Sequence, residues 1–177
     1  MFRLLTAALF TVILCCGSLA AQNNEVSFSV GGGRLIGAGE SRGGRVSTLA
    51  YTRYLTERWA VEGSLEFFFV NIRNFGRDDF AGVQGSFLYH LLPATTERRF
   101  VPYLTAGVGN TTTDFTEIPS TWVIRLGGGF KYFLDESQKF GLRVEARNEI
   151  IGKDNRIFWP PTRINFPSAR LGVIYRF

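Results

Sequence analysis

Carboxylates and guanidinium groups recur at every second residue in stretches of this chain that are otherwise apolar. Glu62 and Glu66 share one face of a run whose other face is Trp59, Val61, Gly63, Leu65, Phe67 and Phe69. Arg143, Glu145, Arg147 and Glu149 alternate with Leu142, Val144 and Ala146, and Arg125, Lys131, Arg170 and Arg176 hold matching positions in two further runs. Acids and bases spaced this way can do one of two things in a low-dielectric interior. They can pair into a hydrogen-bonded network that satisfies every charge, or they can line an ion pathway. Glu62 and Glu66 are expected to meet Arg125 or Arg147, and a structural network is the favoured reading. Arg53 is ambiguous, because it shares its face with Leu49 and Tyr51.

Catalytic patterns are poor by comparison. His90 is the single histidine. Ser86 lies on its face, but four residues along a strand is about 13 Å, beyond proton-transfer reach. A Ser/His/acid lipid hydrolase would need cross-strand neighbours, so His90 reads as a rim residue. Gly31-Gly32-Gly33-Arg34 and Gly37-Ala38-Gly39-Glu40 lack the Lys-Ser/Thr that a phosphate-cradling loop requires. Asp78-Asp79 reads as a solvated loop pair. No catalytic, cofactor or metal site is expected.

The elements that must carry these charges follow from the period-two pattern. Eight strands are expected: Glu25 to Gly33, Val46 to Tyr54, Trp59 to Val70, Phe80 to Leu91, Phe100 to Gly109, Thr121 to Phe133, Lys139 to Ile151, and Pro167 to Phe177. Most are long enough for a membrane-crossing strand of about 9–11 residues. The last one stops on an aromatic carboxyl-terminus, an edge that lipid would not tolerate open, so it is expected to close a barrel. The fold class is therefore all-β, an eight-stranded antiparallel up-and-down transmembrane β-barrel. Links 55–58, 92–99 and 134–138 are shorter on the whole than 35–45, 71–79, 110–120 and 152–166, which puts the first set and both termini in the periplasm.

A soluble lipocalin-like barrel would hide its apolar face instead. Charges within the strands, aromatics near strand ends (Trp59, Tyr89, Trp122, Tyr132, Phe140, Tyr175, Phe177) and glycines among bulky lumen positions (Gly107, Gly109, Gly127, Gly129) favour the inverted arrangement. An eight-stranded interior has room for side chains only.

Residues 1–21 read as a signal peptide. Arg3 precedes a largely apolar run from Leu4 to Cys16, too short for a helix of about 20 residues across a bilayer, and Ser18-Leu19-Ala20 offers a cleavage site. Residues 22–177 form one barrel domain without cysteine. Mean hydropathy of +0.04 suits strands with one apolar and one polar face. The net charge of +5 is spread rather than clustered, which argues against nucleic acid and fits anionic lipid headgroups.

Trp59-Ala60-Val61-Glu62-Gly63, Val101 to Gly109, Gly141 to Arg147 and Arg170 to Phe177 together resemble the OmpA-like outer-membrane β-barrel family over essentially all of residues 22–177. The resemblance implies a monomer in the outer membrane, inserted by the outer-membrane assembly machinery, with Tyr175 and Phe177 in the recognition signal of the terminal strand. It implies no catalytic residue, and roles in adhesion or envelope integrity. The expected partners are outer-membrane lipids and lipopolysaccharide. The segment Gly152 to Phe166 is the candidate recognition surface, with Arg156, Phe158, Trp159 and Arg163, since Arg and aromatic side chains dominate binding hot spots. A narrow channel is the alternative function, and a lipid-modifying enzyme a further one.

Overall fold

The computed structural model describes residues 24–37, 40–72, 76–94, 98–113, 121–152 and 163–177. Eight strands follow one another: β1 (Asn24–Gly37), β2 (Glu40–Tyr54), β3 (Trp59–Ile72), β4 (Gly76–His90), β5 (Phe100–Thr113), β6 (Thr121–Phe133), β7 (Phe140–Gly152) and β8 (Arg163–Arg176). Each pairs antiparallel with its neighbour in sequence, and β8 pairs with β1 to close the barrel. The closing seam runs from Glu25 opposite Arg176 to Gly33 opposite Ser168. Backbone bonds between Asn24 and Phe177 seal its end, at 2.9 and 3.3 Å. Closure leaves no unpaired edge for lipid or a second chain to meet.

Side-chain alternation sorts the two faces as the strand pattern requires. Phe28, Val30, Leu49, Leu65, Phe67, Phe87, Leu104, Val108, Leu126, Leu171 and Val173 are exposed on the outer wall. At the end that carries the termini the wall becomes aromatic. Trp59 packs on Tyr89 (4.8 Å between ring centroids), Phe100 on Phe130 (5.3 Å), and Tyr175 lies between Phe140 (5.0 Å) and Phe177 (5.9 Å). Among the described residues, small apolar clusters cap the interior at both ends: Val46, Phe68 and Phe166 at one, and Tyr54, Ala60, Leu88 and Tyr103 beside Val101, Phe133 and Ile174 at the other.

Several strands run further than their apolar pattern. Arg34, Arg42 and Arg45 lie in the β1–β2 ladder, Asp78 and Asp79 in β4, Asn110 in β5, and Arg163 and Phe166 in β8. All had been expected in connecting loops. The ladder continues because backbone bonding persists where side-chain alternation fades, as Gly37 opposite Glu40 and Ile72 opposite Gly76 demonstrate. The links shrink to 38–39, 73–75, 114–120 and 153–162, against 55–58, 91–99 and 134–139 at the other end. The expected contrast in loop length is thus largely replaced by strands that project beyond the apolar belt.

Candidate functional site

The inward positions of β3, β6, β7 and β8 place Glu62, Glu66, Arg125, Lys131, Arg143, Glu145, Arg147 and Arg170 in the barrel interior, every one of them buried. Burying so many charges is tolerable only if each finds counter-charge and hydrogen bonds, because an isolated ion would cost several kcal/mol or more. Glu66 is the hub. Its Oε1 accepts from Arg125 Nη2, from Arg147 Nη1 at 2.8 Å and from Arg170 Nη1 at 2.6 Å, while Oε2 accepts from Gln84 Nε2 at 2.7 Å. Glu62 is held bidentately by Arg143 (2.5 and 3.2 Å) and also accepts from Thr52 Oγ1 at 3.0 Å. Glu145 accepts from Arg147 Nε and Nη2 and from Arg143 Nε, and Glu149 accepts from Arg170 Nη2 at 2.6 Å. The planar guanidinium fork makes such multiple engagement possible where lysine could not.

Glycines on facing positions provide the room. A Cβ on Gly127 would lie 2.6 Å from the Ala146 carbonyl oxygen and 3.0 Å from Arg147 Cγ. One on Gly129 would crowd the Tyr103 hydroxyl at 3.1 Å. Small residues therefore make space for the long side chains that fill the barrel.

Lys131 belongs to a second cluster nearer the termini. Its Nζ contacts Glu25 Oε1 at 2.8 Å and donates to Tyr54 Oη at 3.0 Å, and the Tyr54 hydroxyl donates to Glu25 Oε2 at 2.8 Å. Arg176 donates to Tyr54 Oη at 2.8 Å and to Gln138 Oε1 at 2.9 Å, and its guanidinium lies 4.1 Å from the Phe133 ring centre. Among the described residues, five buried carboxylates (Glu25, Glu62, Glu66, Glu145, Glu149) face six buried cations. Arg176, 4.0 Å from Glu25, is held by these neutral acceptors and the aromatic face, while its Nε has no hydrogen-bond partner among the described residues. Tyr103 links the clusters: its hydroxyl donates to Glu145 Oε2 at 2.8 Å and accepts from Arg143 Nε at 2.7 Å, while Lys131 Nζ sits 5.6 Å from its ring centre.

Glu25, Tyr54, Gln84, Tyr103 and Gln138 were not singled out from the sequence. The parity of Glu25 with Ser27 and Ser29 carried the signal for the first of them. The pairing of Glu62 is also richer than expected, since Arg143 holds it more closely than Arg147 does, at 3.4 Å, while Arg125 reaches Glu66. His90 is not at an exposed rim. It points inward with Leu88, fully buried, stacked on Tyr54 at 5.2 Å and near Tyr103 at 6.1 Å. Neither ring nitrogen has a hydrogen-bond partner among the described residues, so no Ser/His/acid relay is assembled there.

Tyr175 and Phe177, the expected assembly signal, both face outward and are exposed. Of the candidate recognition residues, Arg156, Phe158 and Trp159 lie outside the described residues, as does the expected signal peptide. Arg163 opens β8 opposite Gly152, in the ladder rather than in a loop. Phe166 packs inward, edge-on to Phe68 at 5.5 Å.

An antiparallel barrel that turns aliphatic and aromatic side chains outward and ion pairs inward is built for a lipid exterior. No protein-family model matches the sequence, and no curated protein matches it. Solved structures do. Neisserial surface protein A superposes with a TM-score of 0.70 at 14% identity, covering 87% of this chain and 97% of that one. The outer-membrane enzyme PagL gives 0.58 at 16% identity, over 86% and 99%. Ail, the attachment invasion locus protein of Yersinia pestis, gives 0.54 at 16% identity, over 89% and 100%. These neighbours are outer-membrane β-barrels, in keeping with the OmpA-like resemblance, and the likeness is one of fold.

Proposed function

We propose that this chain is a monomeric integral outer-membrane barrel that works as a surface-interaction or envelope-integrity protein. In this reading the signal peptide is removed, the assembly machinery reads the terminal strand, and outer-membrane lipids and lipopolysaccharide are its immediate partners. The ion network supports the scaffold role most directly. Glu66 alone engages cations from β6, β7 and β8, so the network ties opposite walls together and occupies the cross-section that a channel would need. Specific interaction then falls to the projecting hairpins. Among its fold neighbours, one is named for attachment and invasion, which supports a surface role, and another is an enzyme. The single histidine has no catalytic partner around it among the described residues, which favours the non-enzymatic reading.

Fractionation and bilayer recording test the proposal together. The protein should partition with the outer membrane, shift on gels when heated, and give no steady conductance in planar bilayers. Large ohmic channels from purified protein would overturn the scaffold reading in favour of a pore. Turnover of membrane lipid that disappears in a His90→Ala variant would overturn it in favour of an enzyme.

A further inference from the structure

Among the described side chains the outer wall is almost free of charge. Among the described side chains, its outward strand positions carry Arg34, Arg45 and Arg53 and no carboxylate. Arg53 sits near the termini. Arg34 and Arg45 sit together on the projecting end of β1 and β2. In the register Arg45 lies opposite Gly32 and Arg34 opposite Gly43, which makes the two arginines diagonal neighbours on one face. Diagonal positions of this kind are about 7–8 Å apart at the backbone, close enough for two long side chains to converge. Both are exposed, and neither forms a hydrogen bond or ion pair with a described residue.

Three physical constraints bear on this pair. Two like charges on neighbouring strands repel, so an anion between them is favoured. An outward arginine is costly at a bilayer midplane but not at the interface, so the pair marks the headgroup level. Directly below it the wall is apolar: Val30 and Phe28 on β1, Leu49 on β2 and Phe67 on β3 are all exposed. The glycines opposite the arginines leave the surface open. A Cβ on Gly43 would meet nothing within 4 Å, and one on Gly32 only the Gly44 carbonyl oxygen at 3.5 Å. A cationic fork above an open backbone shelf, above an aliphatic wall, is the complement of a phosphate joined to acyl chains.

We propose that Arg34 and Arg45 form a binding site for the phosphate of a phosphorylated glycolipid in the outer leaflet, with its acyl chains lying on Phe28, Val30, Leu49 and Phe67. The site rests on the outer-membrane reading and deepens it from general lipid contact to one place on the wall.

The test is retention of bisphosphorylated lipid A by the purified, folded, full chain in phosphatidylcholine micelles, measured by native mass spectrometry. Wild type should retain it. An Arg34→Ala/Arg45→Ala variant should lose roughly tenfold or more in apparent affinity, as expected when a charged fork is removed. Arg34→Lys/Arg45→Lys should fall between the two. Arg53→Ala should match wild type, and dephosphorylated lipid A should bind wild type as weakly as it binds the double alanine variant. Equal retention by the double variant, or equal loss in Arg53→Ala, would sink the proposal. Competition by inorganic phosphate at the same concentration would replace the lipid with a free anion and overturn it as well. The heat-dependent gel shift confirms that each variant is folded, and these arginines lie outside the packed interior. Fractionation of expressing cells reads the outer-membrane assignment separately, so a chain found elsewhere would fail that assignment whatever its lipid retention.

Discussion

Glu66 on β3 and Arg170 on β8 meet at 2.6 Å across the barrel, although these strands are not neighbours in the sheet. The contact makes the lumen a cross-brace rather than a lining. Arg125 and Arg147 converge on the same carboxylate oxygen. Replacing Glu66 with alanine therefore takes a counter-charge from three buried guanidiniums at once, although Arg147 keeps Glu145 and Arg170 keeps Glu149. Loss of one partner from a buried ion pair typically costs about 3–5 kcal/mol, and the shared hub puts this variant at the upper end. The expected result is a marked fall in unfolding temperature in micelles, followed by the heat-dependent gel shift. Conductance in planar bilayers should remain absent, because the other ion pairs still occupy the interior.

The Glu25–Lys131 pair offers a cleaner measure of coupling, since it stands apart from the four-arginine network. Glu25→Gln or Lys131→Met alone leaves a buried charge without its closest counter-charge. Each should destabilise by about 3–5 kcal/mol. The double variant removes both charges and should recover a substantial part of the loss, giving a strongly non-additive cycle. Urea unfolding of the four proteins in the same micelle would show this. Simple additivity would mean that Tyr54 and Arg176 already compensate each single change.

Much of this arrangement was legible in the sequence, and the parts that were not have a common cause. Alternation of Arg143, Glu145 and Arg147 with Leu142, Val144 and Ala146 assigns the inner face of β7 from one strand alone. The extent of β6, Thr121–Phe133, is also the one expected. Period two carries this information only where one side meets lipid and the other meets charge. Beyond the belt both faces are polar, so Arg163 and Asn110 looked like loop residues although the ladder extends through them. Phe166 was placed in the segment Gly152 to Phe166 for another reason: the expected strand began at Pro167, whereas the parity of Phe166 with Ser168 and Arg170 turns it inward onto Phe68. Which arginine meets which glutamate was never available from one strand. It depends on strand stagger around the closed barrel, and that stagger is set by all eight pairings together.

The β6–β7 turn carries a carboxylate with a distinct pH signature. Asp135 accepts from the Ser137 hydroxyl and from the backbone amides of Phe140 (2.8 Å) and Lys139 (3.1 Å). These donors, the Ser137 hydroxyl foremost, favour the ionised form and hold its pKa down to about 2. A free aspartate titrates near ~3.9. Because the folded value is the lower one, the stabilisation is present above about pH 4 and is lost as pH falls through about 2. Stability of wild type should thus decline over that window by more than that of Asp135→Asn. Parallel pH profiles of the two proteins in unfolding titrations would remove the turn from this role.

Gln138 closes the same turn from within and pays a backbone cost for its position. It is the one described non-glycine residue with positive φ, at 52°, and it is fully buried. Its side chain donates to the Arg98 carbonyl at 2.8 Å and accepts from Arg176 at 2.9 Å, joining the β4–β5 link, the β6–β7 turn and the end of β8. The left-handed conformation costs an ordinary residue about 1–2 kcal/mol relative to glycine's freedom there. Gln138→Gly should relieve that strain while losing both hydrogen bonds, one of them to a charged group worth about 1.5–3 kcal/mol. Gln138→Ala should lose the same bonds and keep the strain. The expected order of stability is wild type, then glycine, then alanine, with the two variants separated by about 1 kcal/mol. An alanine variant at least as stable as the glycine variant would mean that the turn relaxes to another conformation once the side chain is gone, and that the contact with Arg176 is what holds φ positive.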